Sequence, residues 1–575
     1  MLEIQLLGGL AILENGRPVR GLASRKAEAL LAYLAHTGRP HSREVLADLL
    51  WDDRSQAQAM GNLRVLLSSL RKQLGDYITI TRHEVALNSA RICRLDTADL
   101  ATQVEGVRKA MQESGCLSPE KAARLAKALA LYRGDFLTGF HIRDCLRFEE
   151  WTLVEQERLR RLAMEGLQVL AAHYLRVGNY QAGIEQTARL LELDPLYEEA
   201  HRLMMLLMAR LGRRSAALQQ YETCAGVLQA ELGVDPSPET TALYERIRLA
   251  PPAPPVCLPS EPTPFVGRGA ELTEIANRLA DPACRLLTLV GPGGIGKTRL
   301  AVQSARKHSR AFLHGIYFVP LSALDSPENI VSAIAQAMQV DLPDVNSAGE
   351  LLDYLREKEL LLVLDNFEHL LDGAPLVAQI VRHAPHVRML VTSRERLNLR
   401  AEWLFDVAGL DFPARSAAET GVAPEARGAV QLFIQTAQRI RPDFSPTPAD
   451  YAAIARICRL LQGAPLGIEL AAAWARAFSC SEIAAEIETG FDFLSTTLRD
   501  LPRRHRSLRA VFDHSWRLLS ERERGIARRL AVFRTSFRRE VAKTVAGADP
   551  HTLLSLLNSS FLSQSRTAGT TFTSC

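Results

Sequence analysis

Apolar positions change period several times in the first hundred residues. Leu2 to Leu7 and Leu10 to Glu14 are short strand-like runs, and the Asn15-Gly16 pair that follows is the signature of a tight hairpin turn. Ala27, Leu30, Leu31, Leu34 and Ala35 then fall at the spacing of an amphipathic helix. Ser42 can cap a second helix carrying Val45, Leu46, Leu49 and Leu50. Leu63, Leu66, Leu67, Leu70 and Leu74 line the apolar seam of a third helix, from about Ser55 to Leu74. Tyr77 to Thr81 and Val85 to Asn88 read as a strand pair turning at Arg82-His83. This order predicts a winged helix-turn-helix over residues 1–96.

Residues 100–248 carry helical periodicity almost throughout, with an internal repeat. Gly178-Asn-Tyr-Gln-Ala-Gly and Gly212-Arg-Arg-Ser-Ala-Ala lie 34 residues apart, the tetratricopeptide period, with a glycine opening a helix in each unit. Asp194-Pro195 and Asp235-Pro236 follow the second helices. Helix pairs of this kind stack into a small solenoid, here over 97–249. The half-proline segment of residues 250–264 can form neither a helix nor a central strand and reads as an extended linker. Beyond it, Arg285 to Val290, Gly315 to Pro320, Leu360 to Asp365 and Val387 to Ser393 are short apolar strands between helical segments, the pattern of a parallel α/β sheet over 265–425. Helical periodicity returns over 426–497, and residues 498–575 form a last segment.

A chain of 575 residues exceeds a single core, so a multidomain protein is expected. Its nine cysteines show no CxxC pair, which fits reduced thiols in a cytoplasmic setting and argues against structural zinc. The sequence shows no signal peptide and no apolar run of the roughly 20 residues needed to span a bilayer. A net charge of +4 permits a local nucleic-acid surface without establishing one.

The clearest chemistry is Gly291-Pro-Gly293-Gly294-Ile295-Gly296-Lys297-Thr298, between a buried strand and a helix. In such a loop glycines let backbone N–H groups turn onto phosphates, the lysine reaches the β- and γ-phosphates, and the threonine hydroxyl binds Mg²⁺. Arg299 follows directly. Leu360-Leu-Leu-Val-Leu-Asp365 is the matching second strand, with Asp365 a further Mg²⁺ ligand. The next residue is Asn366, so a strong general base is not evident; Glu368 is either that base or a solvated acid at a helix start. Slow hydrolysis, suited to a switch, is the expectation. Arg394, at the end of Thr392-Ser393-Arg394, either senses the γ-phosphate from the strand edge or lies on the surface.

Together with Phe265-Val266-Gly267-Arg268 and Gly463-Ala-Pro465-Leu466, these motifs resemble the STAND or NB-ARC switch ATPases. The resemblance implies ATP/ADP binding, with Val266, Gly267 and Arg268 framing the adenine and Pro465 lying against the nucleotide. It also implies a winged-helix lid from Leu501-Pro-Arg-Arg-His505 through Phe537, where some relatives use a histidine; neither His505 nor His514 is assigned. The front half resembles the SARP-type regulators, an OmpR-like winged helix followed by a bacterial transcriptional activator domain. Leu46 to Trp51, Asn62 to Leu74, Asp135-Phe136-Leu-Thr-Gly139-Phe140 and Glu231-Leu-Gly233-Val-Asp-Pro236-Ser-Pro238 carry that likeness. After about Leu557 the chain departs from the pattern, and a truncated lid without closing strands is expected.

On the third helix Arg64, Ser68, Arg71 and Lys72 share the face opposite the seam. They read either as a major-groove surface or as an ordinary solvated face, with Arg82 and His83 as candidate backbone or minor-groove contacts. The favoured reading is an ATP/ADP-switched activator in which nucleotide exchange drives self-association on double-stranded promoter DNA, with RNA polymerase the implied partner and no membrane. A DNA-acting ATPase of the initiator or loader type and a nucleotide-stabilised interaction scaffold are the alternatives.

Overall fold

The first strand pairs with its neighbour through an alternation that hides Leu2 and Ile4 and leaves the intervening side chains half-buried. β1 (Leu2–Gln5) and β2 (Ala11–Glu14) run antiparallel, and β3 (Arg17–Pro18) returns against β2. Asn15 (φ 48°) and Gly16 (φ 79°) are both left-handed, as a two-residue turn matched to the strand twist requires. The computed structural model describes residues 2–574 other than 20, 21, 23, 89–92, 115–116, 343–346, 414–426, 491–492, 496–506, 534–536, 560 and 566–570. These fall into two compact units, Met1–Ile247 and Arg248–Cys575.

In the first unit α1 (Arg25–Thr37) precedes β4 (His41–Ser42), α2 (Arg43–Leu50), α3 (Gln56–Leu74), β5 (Ile78–Ile80) and β6 (Glu84–Leu87). The three later strands form a sheet in the order β4-β6-β5. Ser42 caps α2, accepting the Val45 N–H at 3.3 Å. α3 buries Leu63, Leu66, Leu67, Leu70 and Leu74. β7 (Cys93–Leu95) then joins β1 in parallel. At its end the buried Asp96 carboxylate accepts the N–H groups of Leu6 (2.8 Å), Leu7 (3.0 Å) and Thr97 (2.8 Å).

The helices α4 (Asp96–Ser114), α5 (Pro119–Leu129), α6 (Leu146–Val177), α7 (Tyr180–Leu193), α8 (Glu198–Arg210), α9 (Arg214–Leu232) and α10 (Pro238–Leu249) follow. One hydrophobic cluster runs from Leu2 to Ala200, so winged helix and helical repeats share a core. The repeat glycines do not open helices. Gly178 (φ 80°) and Gly212 (φ 87°) are left-handed and end the preceding one, because a left-handed residue closes the last turn's orphan carbonyls.

The second unit contains β8 (Val256–Cys257), α11 (Gly269–Ala280), β9 (Leu286–Val290), α12 (Lys297–Lys307), β10 (Ile316–Pro320), α13 (Ile330–Met338), α14 (Ala348–Leu355), β11 (Leu361–Asp365), α15 (Ala374–His383), β12 (Arg388–Ser393) and β13 (Glu402–Asp406). Their parallel sheet has the order β13-β9-β12-β11-β10-β8. β9 is buried along its whole length, which is why its sequence, Leu-Leu-Thr-Leu-Val, does not alternate between apolar and charged residues.

The proline-rich segment does more than span. Pro255 accepts the Ile316 N–H at 2.8 Å, and β8 forms the outer strand beside β10, an edge position that proline tolerates. Arg299 and Arg306 of α12 donate to the carbonyls of Thr263 (2.8 Å), Pro264 (3.0 Å) and Pro259 (3.1 Å). Arg306 lies 3.5 Å from the Glu261 carboxylate, which also accepts from Gln303.

A helical module of α16 (Gly428–Ile440), α17 (Pro448–Leu460), α18 (Pro465–Ala473) and α19 (Cys480–Thr489) has its own core around Phe433, Ile454, Ile457 and Ile468. Next come α20 (Leu508–Leu518), α21 (Glu521–Leu530), β14 (Phe537–Arg538), α22 (Arg539–Ala546), α23 (Pro550–Asn558), β15 (Leu562–Ser565) and β16 (Thr571–Ser574). The expectation of a lid without closing strands is corrected here. β15 and β16 pair antiparallel, and β16 also pairs with β14, Phe537 opposite Phe572. Leu-Ser-Gln-Ser and Thr-Phe-Thr-Ser are mostly polar in composition, so apolar periodicity does not mark them as strands; Leu562 is buried. Of the lid motif, Leu501 to His505 lie outside the described residues.

Candidate nucleotide site and DNA-reading face

The nucleotide motif sits where β9 ends and α12 begins, at the carboxyl edge of the sheet. Gly291 passes so close to the next segment that a Cβ there would lie 2.9 Å from the Val407 carbonyl oxygen. Gly294 (φ 77°) and Gly296 (φ 93°) are left-handed, and a Cβ on Gly294 would meet Leu466 at 3.0 Å. Gly293 lies in the turn immediately before Gly294. The side chain of Ile295 is buried in the α/β core, anchoring the loop from below.

Lys297 donates from Nζ to the carbonyl oxygens of Gly291 (2.7 Å) and Pro292 (3.1 Å). Burial pulls its ammonium pKa down to about 8. The Thr298 hydroxyl donates to Asp365 Oδ1 at 2.6 Å, and the Thr392 hydroxyl donates to the same oxygen at 2.6 Å. Burial raises the Asp365 carboxyl above its usual range, against the pull of those two hydroxyls. β9, β11 and β12 thus bring Lys297, Thr298, Asp365 and Thr392 together.

Asn366 is left-handed (φ 68°) and donates its N–H to Thr392 Oγ1 at 3.0 Å. The turn it makes buries Phe367 fully and carries Glu368 inward. Glu368 is therefore no solvated acid: its Oε1 lies 3.0 Å from Arg394 Nε, with side chains 2% and 5% exposed. Arg394 is correspondingly not a surface arginine.

Two segments close on the loop from outside the sheet. Arg268, left-handed at φ 62° and buried, donates to the carbonyls of Ile295 (2.8 Å) and Ala408 (2.9 Å). Gly267 approaches Gly428 and Leu410, and Val266 packs on the helical module. From that module, Leu466 donates its N–H to the Gly294 carbonyl at 3.2 Å, and Pro465 lies beside Gly296. Arg299 turns away from the loop, onto the linker carbonyls and the Phe265 ring, with Glu469 of α18 at 3.8 Å. Thr392 and Leu466 were not singled out by sequence reasoning, although both lie inside motifs that were.

In the first unit Arg64, Ser68, Arg71 and Lys72 are all exposed on α3, a helix without a single acidic residue. Val65 among them is 73% exposed, an apolar surface position that the leucine seam concealed. Arg82 and His83 are exposed at the tip between β5 and β6, where Thr81 Oγ1 accepts the His83 and Glu84 N–H groups at 3.3 and 3.0 Å.

Comparison with known proteins agrees with a two-part regulator. The bacterial transcriptional activator domain family matches residues 95–248, and the NB-ARC domain family matches residues 268–398. The uncharacterized protein Rv0894 of Mycobacterium tuberculosis is 32% identical over 289 residues, 50% of this chain and 70% of that protein. A putative HTH-type transcriptional regulator of the same organism, Rv0890c, is 36% identical over 278 residues, 48% of this chain and 30% of its own. Regulatory protein AfsR of Streptomyces griseus is 29% identical over 424 residues, covering 68% of this chain and 41% of AfsR. Fold and matches together define a P-loop regulator of the NB-ARC class, whose fold implies nucleotide binding. More narrowly, the chain belongs to the SARP-type transcription regulators that join an activator domain to an NB-ARC module. No helix among the described residues is long and apolar enough to cross a membrane.

Proposed function

We propose that this chain is a transcription activator whose binding to double-stranded promoter DNA is switched by exchange of ADP for ATP. The observation that carries the reading is the convergence on one loop of three separate pieces. The α/β sheet supplies Lys297, Thr298 and Asp365, the segment before α11 supplies Arg268, and the helical module supplies Leu466 and Pro465. A ligand touching all three has different contacts as they move, which is the differential affinity that a population shift needs.

The donor set fits a magnesium nucleotide. The loop narrows where glycines leave no room for a Cβ, Lys297 brings a buried positive charge, and a hydroxyl and a carboxylate stand side by side at Thr298 and Asp365. Thr298 and Asp365 would hold Mg²⁺, which supplies charge neutralisation at the β- and γ-phosphates. On DNA, α3 would enter the major groove. Arg64 and Arg71 would read guanine, Lys72 would neutralise phosphate, and the Val65 methyls would meet a thymine methyl. Arg82 and His83 would contact the adjacent backbone or minor groove. The triphosphate form self-associates on repeated sites and contacts RNA polymerase.

A gel-shift titration on upstream promoter fragments, with ADP, ATP or a non-hydrolysable analogue, tests this. The expected result is tighter, more cooperative binding with triphosphate, a difference abolished by Lys297→Ala. Identical binding with every nucleotide would defeat the switch.

A further inference from the structure

Glu368 presents the form of a catalytic base and the surroundings of something else. It follows the Asp365 strand by three residues, yet the left-handed Asn366 and the fully buried Phe367 swing it beneath the strand edge, away from water. The Asn366 N–H bond to Thr392 ties that turn to the strand bearing Arg394. The carboxylate there meets the Arg394 guanidinium at 3.0 Å, with both side chains almost wholly enclosed. A general base needs a carboxylate oxygen within reach of the attacking water. A buried ion pair behaves differently: separating it strands a charge in a poorly solvated place, which is unfavourable.

Resting on the nucleotide reading above, we infer that Glu368 is a positioning residue that holds Arg394 back from the γ-phosphate and so biases the site toward the diphosphate. Lys297 lies within the electrostatic reach of a second cation, Arg394, and of the carboxylates of Asp365 and Glu368. A diphosphate is met by Lys297 and leaves the Arg394–Glu368 pair intact. A triphosphate brings further negative charge to the ends of β11 and β12 and gains Arg394 only by drawing it off Glu368. The work of that separation is subtracted from triphosphate affinity alone. Nucleotide preference is then set by a side chain that touches neither nucleotide.

The test is competition of ADP and a non-hydrolysable ATP analogue, with Mg²⁺, against a fluorescent nucleotide on the full chain. Glu368→Gln is expected to shift the affinity ratio about tenfold toward triphosphate, within the usual range of coupling between sites. The same substitution in an Arg394→Gln background is expected to shift nothing, since the effect runs through the arginine. If Glu368→Gln does not fold, Glu368→Asp, which keeps the charge and shortens the reach, should move the ratio in the same direction by less. An unchanged ratio accompanied by loss of single-turnover hydrolysis would overturn the proposal and make Glu368 the base. A shift that survives removal of Arg394 would overturn it as well. A wild-type chain that binds neither nucleotide would overturn the switch reading too, whereas failure of the restraint alone leaves both nucleotides bound.

Discussion

In the first unit a two-residue strand leads into an eight-residue helix, a second helix and a two-stranded wing, giving the order β4-β6-β5; in the second unit β14, α22, α23 and the β15–β16 hairpin repeat this as β14-β16-β15. The plan is shared, and the second helix is not. α3 has 19 residues, no acid, and Arg64, Arg71 and Lys72 exposed. α23 has nine residues, and its exposed positions include His551 and Leu554 with no arginine or lysine. Among the described residues, the exposed cations of the later copy sit on the preceding strand and helix, at Arg538, Arg539 and Lys543. Winged-helix topology is thus a way of packing three helices on a small sheet. The two copies differ in the length and charge of one helix, the element on which the proposed DNA reading rests.

The largest effects should come from the two cores. Leu67→Ala and Leu556→Ala each remove a buried leucine, 3% and 0% exposed, and each should destabilise its own module by about 2–5 kcal/mol. Calorimetry with a parallel gel shift separates them: Leu67→Ala should abolish promoter binding, while Leu556→Ala should leave half-site affinity in place. Equal loss from both would erase the distinction between the copies.

Next in size, Arg71→Ala should weaken promoter binding by about 1–3 kcal/mol without altering nucleotide affinity. His551→Ala on the lid helix should change neither. Titrations at two salt concentrations would show whether Arg71 also contributes to the phosphate contacts. Unaltered DNA affinity of Arg71→Ala would remove α3 from the interface.

Helix caps give a smaller contrast of opposite sign. Ser42→Ala should cost about 0.5–2 kcal/mol, since the serine caps α2. Its counterpart Arg538 makes no side-chain cap, so Arg538→Ser should stabilise α22, by about 1 kcal/mol at most. Thermal unfolding of each variant checks both signs.

The smallest effect concerns pH. Burial holds the His36 imidazole below its ordinary value of 6.5, although Glu155 3.0 Å away pulls it up. Between the ordinary and the lowered value the unfolded chain binds the extra proton, so the first unit should lose stability as pH falls below 6.5. His36→Gln should flatten that slope in an unfolding series; a slope that persists unchanged would assign it elsewhere.

What the sequence makes legible here follows from distance along the chain. The Asn15-Gly16 turn, the Ser42 cap and the leucine seam of α3 each depend on neighbours a few residues away, and each could be read directly. The phosphate loop could too, because its strand, glycines and helix are contiguous. The Glu368–Arg394 pair joins residues 26 positions apart and could not, since either residue alone suits a surface. The closing hairpin was hidden by its composition, since six of the eight residues in its two strands are Ser, Thr or Gln. Proline correctly announced an extended segment after residue 250, but nothing local announces that β10 has an edge to receive it.

That docked segment decides where the protein can be divided. The NB-ARC match starts at residue 268, which invites a cut just before it. Such a cut would discard β8, bare the β10 edge to pairing with other molecules, and take from Arg299 and Arg306 the carbonyls that hold them. A nucleotide-binding half prepared from residue 251 onward keeps its own selvedge; one prepared from 268 starts with a raw hem and should fray into aggregates.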